Sequence, residues 1–137
     1  MANNPINQPE SGEPGVERQL ARNGGLSYLE IPAIDVRESA TFYEKVLGWS
    51  VELDGAAAKF RDQTGHLIGR WLTGRAISRD AGLVPYIYVD RIADVVTRVS
   101  AHGGEVVKPP FPEGNLSVAI VRDAAGNLIG LWQEGRP

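Results

Sequence analysis

Two periods govern the chain from Leu26 onward. Leu26–Pro32 alternates, with Leu29 and Ile31 on one face and Tyr28 and Glu30 on the other, which predicts a strand. The period then lengthens: Val36, Ala40, Tyr43 and Leu47 recur at helical spacing and predict a helix packed on a sheet. Asp35 stands at its N-cap with Glu38 three residues on, the spacing of a capping box, and Gly48 supplies the stop. Strands are predicted next at Ser50–Leu53, Ala57–Arg61 and Leu67–Leu72, separated by turn residues such as Gly55 and Thr64–Gly65.

The second half repeats the series. Pro85–Val89 reads as a strand and Asp90 as the next N-cap. Ile92, Val95, Val96 and Val99 form the apolar stripe, and Gly103–Gly104 ends the helix. Strands follow near Glu105–Lys108, Ser117–Arg122 and Leu128–Gln133. Asp35 and Asp90, Gly48 and Gly103, and Val51 and Val106 each lie 55 residues apart. Beyond the stiff run Pro109–Gly114, read as a lid, a dimer contact or a plain connection, the offset becomes 61. It then pairs Arg61-Asp62 with Arg122-Asp123, Gly65 with Gly126, Leu67-Ile68-Gly69 with Leu128-Ile129-Gly130, and Trp71 with Trp132. Ordered matches at two constant offsets imply a duplicated βαβββ unit. The expected fold is α+β: two paired modules, about 26–75 and 82–134, forming a curved, barrel-like mixed sheet with the helices outside. Residues 1–25, rich in Pro, Asn, Gln and Gly, read as a flexible arm, and 26–137 as one domain.

Composition narrows the chemistry. The 137 residues include no cysteine, which excludes disulfides, zinc knuckles and thiol nucleophiles and suits a cytoplasmic protein. A net charge of −3 with scattered Lys and Arg argues against nucleic acid as a partner. No apolar run reaches the length of a membrane span, and no secretory signal is expected. His66 and His102 are the two histidines. There is no phosphate loop and no Ser-His-Asp set.

The landmarks Asp35, Phe42-Tyr43 and Val46-Leu47-Gly48-Trp49, with Arg122-Asp123, Gly126-Asn127 and Ile129-Gly130-Leu131-Trp132, resemble the vicinal oxygen chelate superfamily. That superfamily includes glyoxalase I, bleomycin-resistance proteins and extradiol dioxygenases. The first strand, Tyr28–Pro32, resembles that of small glyoxalase-like bacterial proteins. The likeness covers about Leu26–Gln133 and implies the paired-module fold, while the same fold carries lyases, isomerases, dioxygenases and simple binders. Family enzymes hold a divalent metal through His, Glu or Gln on the first and last strands of each module. Counted from the landmarks, those positions fall here on Tyr28, Gly69, Val84 and Gly130, none of which is a usual ligand.

The alternation rule gathers Tyr28, Glu30, Leu67, Trp71, Tyr86, Tyr88, Leu128 and Trp132 on one sheet face. Gly69 and Gly130 are expected to leave room there. The leading expectation is an aromatic pocket that binds a small organic molecule without a cofactor, in a homodimer such as the drug-binding members form. The first alternative is a metal-independent lyase or isomerase. Glu30 would be its general acid or base, with a pKa raised among the rings, and Tyr86 or Tyr88 would donate to a developing oxyanion. The second is a divalent-metal-dependent lyase or dioxygenase with non-standard ligands.

Overall fold

The structure, a computed structural model, describes residues 17–80 and 82–137. The first module runs β1 (Tyr28–Pro32), α1 (Val36–Leu47), β2 (Ser50–Asp54), β3 (Ala57–Arg61) and β4 (Ile68–Leu72). The second runs β5 (Tyr86–Tyr88), α2 (Ile92–Ala101), β6 (Glu105–Glu113), β7 (Leu116–Arg122) and β8 (Leu128–Glu134). Each module makes its own four-stranded mixed sheet, in the orders β1-β4-β3-β2 and β5-β8-β7-β6. The first strand is parallel to the last and the other neighbours are antiparallel. The two sheets do not close into a barrel. No helix among the described residues is long and apolar enough to cross a membrane.

Local chemistry accounts for most boundaries. The Asp35 carboxylate accepts the free N–H groups of Arg37 and Glu38 at 2.9 and 3.0 Å, so α1 starts where the capping residue stands. Gly48 closes it in the left-handed region at φ 71°, a conformation that favours glycine. The second helix departs from expectation. Its N-cap is Arg91 rather than Asp90, and the Ile92 N–H donates to Gln133 Oε1 on β8 at 2.8 Å. A distant side chain replaces the local cap.

The proline run is also not a lid or a separate connection. Pro109–Glu113 continues β6, an edge strand with register shifts between Val106 and Lys108 and between Lys108 and Phe111. Prolines lack an N–H, so an edge tolerates them and is protected by them from further pairing.

One core spans both modules. Ring contacts link Tyr43 to Trp49 at 4.8 Å and to Trp71 at 5.6 Å, and Phe60 to Trp49 and Trp71 at 4.8 and 4.9 Å. Trp49 therefore fills the seam between α1 and its sheet. Among the described elements, α1 and α2 are the pair that packs across the module boundary. Arg98 of α2 reinforces it, donating Nε and Nη2 to the Val46 carbonyl at 3.3 and 3.2 Å.

The first 16 residues of the expected arm lie outside the described residues. Its remainder rests on the β3–β4 turn. Arg61 donates to the Glu17 carboxylate at 2.7 Å, and His66 Nδ1 meets the Gln19 carbonyl at 3.0 Å. The second module mirrors this contact: Arg122 donates to the Arg79 carbonyl and reaches Asp80, in the segment that leads into β5.

Candidate functional site

The two sheets leave their helix-free faces open, and the expected pocket residues divide between them. On the first sheet Tyr28 and Glu30 point away from α1, in register with Ile68 and Arg70 of β4. Leu67, Gly69 and Trp71 do not join them. Leu67 packs against the core, Gly69 is buried, and Trp71 is 2% exposed against Tyr43 and Phe60. On the second sheet Tyr86, Tyr88, Leu128, Gly130 and Trp132 do share the open face, with Tyr86 beside Gly130 and Tyr88 beside Trp132.

The cause is one residue of turn length. The Asp62 N–H bonds to the Leu67 carbonyl, whereas the Asp123 N–H bonds to that of Asn127, one residue nearer. Consequently Ala33 bonds to Leu72 in the first module where Val89 bonds to Trp132 in the second. Trp71 thus corresponds to Leu131, not Trp132, and the matched Leu-Ile-Gly triplets sit out of step. A slip of one residue turns every side chain to the other face.

Neither strand glycine leaves a cavity, contrary to expectation. A Cβ at Gly69 would strike the Leu29 carbonyl and the Phe60 ring, because β1 and β4 approach closely there. A Cβ at Gly130 would strike the Tyr86 ring, which lies across it. Gly130 seats an aromatic side chain and does not make a hole. Beside that ring Tyr88 meets Trp132 edge to face at 4.7 Å, and Lys108 sits 4.3 Å over Phe111 on β6. Tyr28, Tyr86 and Tyr88 are 48, 53 and 45% exposed.

Glu30 is held differently from the expectation. Arg70 donates to its Oε2 through Nε and Nη2 at 3.3 and 3.1 Å, and Arg75 Nη1 approaches Oε1 at 2.8 Å. These guanidinium bonds, Arg70's first, lower its pKa below the ordinary 4.5 rather than raise it. Arg75, in the segment after β4, was missing from the candidates because no periodic pattern places it. A groove of about 500 Å³ lies alongside, lined by Tyr28, Ser50, Glu52, Lys59, Arg61 and Arg70 among others.

The four positions counted for a divalent metal carry no carboxylate or imidazole donor. On the first module's open face the register puts Arg70, a fixed cation, where Gly69 was counted. Of the other counted positions, Tyr28 lies on that face, Val84 precedes β5, and Gly130 lies beside Tyr86. No group of three or more His, Cys, Asp or Glu able to hold a metal occurs among the described residues. His66 faces the Gln19 carbonyl, and His102 caps α2.

A polar cluster outside the expected pocket lies buried where the modules meet. Tyr43 donates to Asp123 Oδ2 at 2.7 Å, and Asn127 Nδ2 reaches the same oxygen at 2.9 Å. Oδ1 accepts the N–H groups of Ala125, Gly126 and Asn127. Asn127 also donates to the Pro32 carbonyl at the end of β1. Burial and the Asp123 carboxylate push the Tyr43 phenol well above its ordinary 10.0. The sequence signal was the run Arg122-Asp123…Gly126-Asn127, whose partner Tyr43 lies 80 residues away.

Duplicated βαβββ modules with open sheet faces define the class of the protein, and comparison supplies the family. The sequence model of the Glyoxalase/Bleomycin resistance protein/Dioxygenase superfamily matches residues 25–131, and the chain belongs to that superfamily. "Putative glyoxylase CFP32" of Mycobacterium tuberculosis is 26% identical over 136 residues, covering 88% of this chain and 49% of the relative. The chain thus spans about half the length of the curated relatives it matches. Among solved structures, a glyoxalase/bleomycin resistance protein from Albidiferax ferrireducens T118 superposes with a TM-score of 0.65 at 20% identity. That match covers 82% of this chain and 98% of the other. A glyoxalase/bleomycin resistance protein/dioxygenase family enzyme from Burkholderia phytofirmans PsJN gives 0.66 at 16% identity, covering 79% and 97%. Both likenesses concern the fold.

Proposed function

We propose that the protein binds a small organic molecule on its open sheet faces, without a metal and without turning it over. The observation that carries this reading is the aromatic face of the second sheet, where Tyr86 and Tyr88 remain about half exposed beside Trp132. Large rings held at fixed angles in solvent suit a flat or apolar ligand. Glu30 is a poor general base in this setting, since two arginines stabilise its charged form and reduce its appetite for a proton. We further propose a second copy as partner. Within one chain only the helices pack across the module boundary among the described elements, so no described helix or strand of either module covers the other's open face. Two chains laid face to face would set the charged face of one first sheet over the aromatic face of the other's second sheet. A cytoplasmic setting agrees with the absence of cysteine.

The test is a thermal-shift screen of aromatic metabolites, followed by native mass spectrometry of each hit. Saturable binding raises the melting temperature because ligand binds only the folded chain. The ligand should be recovered unchanged, and binding should be lost in Tyr88→Ala and Trp132→Ala. Catalytic conversion of a hit that Glu30→Gln abolishes would overturn the reading. Light scattering after size exclusion reads the second copy, and a monomer at every concentration removes that part of the proposal.

A further inference from the structure

We infer that the groove on the first sheet is an oxyanion subsite, gripped by Lys59 and Arg70, and that the ligand is therefore a small organic carboxylate or phosphate ester. This rests on the ligand-binding reading and names the chemistry of one half of it. The groove's charged side chains are Lys59, Arg61 and Arg70 against a single carboxylate, Glu52, in a chain whose net charge is −3. The imbalance is local and opposite in sign to the molecule as a whole.

The pairing within the groove sharpens the point. Arg61 is committed to Glu17 and to the Gly65 carbonyl. Arg70 uses Nε and Nη2 on Glu30 and keeps Nη1 without a partner among the described residues. Backed by that carboxylate, its guanidinium is fixed in direction, and Arg75 returns to the cluster the positive charge that Glu30 removes. Lys59 is exposed and has no hydrogen-bond or ion-pair partner among the described residues. Glu52 is its register partner on β2, yet no ion pair joins them. Register sets Lys59 directly beside Arg70, two like charges on neighbouring strands. Such a pair repels when empty and is relieved when an anion bridges it. The Ser50 hydroxyl adds a donor, whereas the Tyr28 hydroxyl faces Glu30 Oε2 at 3.5 Å, and Ile68 supplies an apolar wall for the organic part of the ligand.

The experiment is an amide NMR titration of the full chain with three probes of one shape: phenylacetate, phenyl phosphate and phenylacetamide. Saturable shifts at Lys59, Ile68 and Arg70 are expected with at least one of the two anions, and the stronger of them identifies the acid. Phenylacetamide should bind there at least about tenfold more weakly, because a charge-assisted contact becomes a neutral one. Lys59→Met should weaken anion binding about fivefold or more, Lys59→Arg should stay within about twofold, and added salt should weaken it further. Unchanged melting temperatures of these surface variants separate lost binding from lost fold.

Equal binding of the amide, or anion binding indifferent to Lys59→Met, overturns the oxyanion subsite. If the shifts then appear at Tyr86, Tyr88 and Trp132, the ligand-binding reading stands without it. Absence of shifts on both sheets with all three probes defeats the two together.

Discussion

Replacing Tyr43 by Phe removes one oxygen from the buried junction between the modules and nothing else. The ring keeps its contacts with Trp49 and Trp71, so no cavity opens. What disappears is the 2.7 Å bond from the phenol to Asp123, while Asp123 keeps the Asn127 amide and three backbone N–H donors. A hydrogen bond to a charged group contributes about 1.5–3 kcal/mol. For a domain of this size, with each kcal/mol worth about 3–4 °C, the melting temperature should fall by about 5–12 °C. Alkaline pH adds a second readout. The folded state holds the Tyr43 proton well above 10.0, whereas the unfolded chain releases it near that value. Above pH 10 the folded state therefore binds more protons, and stability falls as pH rises, by at most about 1.4 kcal/mol per unit. Tyr43→Phe should flatten that limb. Chemical denaturation from pH 7 to 11 measures both effects. A variant that melts within about a degree of wild type and keeps the same alkaline limb would refute the reasoning, since a change of even ~1 kcal/mol exceeds that shift.

The register difference is testable by fluorescence: Trp49 and Trp71, 6 and 2% exposed, should resist acrylamide quenching, and Trp132→Phe should remove most of the quenchable emission. In the same pair Trp71→Ala should cost about 3–5 kcal/mol and Trp132→Ala clearly less; the reverse order would place β4 in the wrong register. Gly69→Ala should fail to fold or lose several kcal/mol, because its Cβ meets the rigid Leu29 backbone, whereas Gly130→Ala displaces only the Tyr86 ring and should spare the fold while weakening ligand binding. Glu30 should titrate below 4.5 by NMR, since Arg70 and Arg75 hold it charged. Its contribution to stability is present above pH 4.5 and lost as pH falls through its lowered pKa, and Glu30→Gln should abolish that part of the acid limb.

The duplication was legible because its punctuation is chemical. Asp35 caps α1, Gly48 ends it in the left-handed region, and Arg61 and Arg122 each bond the carbonyl of the glycine four residues on. Such residues sit where backbone geometry demands them, so their spacing reports elements directly. The facing of β4 was not legible. Leu-Ile-Gly and Trp recur at one offset, yet the turn after Asp62 spends one residue more than the turn after Asp123. That difference lies in which N–H groups each carboxylate collects: Gly65 and Leu67 at Asp62, against Ala125, Gly126 and Asn127 at Asp123. Spacing alone cannot count those bonds. The fate of Glu30 was hidden for a related reason, because Arg75 reaches it from a segment that has no period.

That single residue has a consequence for the site. Duplicated modules with nearly matching last strands would, in equal register, present matching open faces. Here the slip buries Trp71 under α1 and brings Arg70 outward, while in the second module Leu131 goes under and Trp132 comes outward. The same string of residue types thus yields a charged face and an aromatic one. Two unlike faces suit a ligand with two unlike ends, an acid group and a ring, and identical faces would grip neither end well. A divalent ion held between equivalent positions of the two modules needs donors on both, and these positions hold Gly130 in the second module and, in the first, Arg70 with the slip or Gly69 without it. The residue added in the turn therefore accounts for the split character of the two open faces, charged on the first sheet and aromatic on the second.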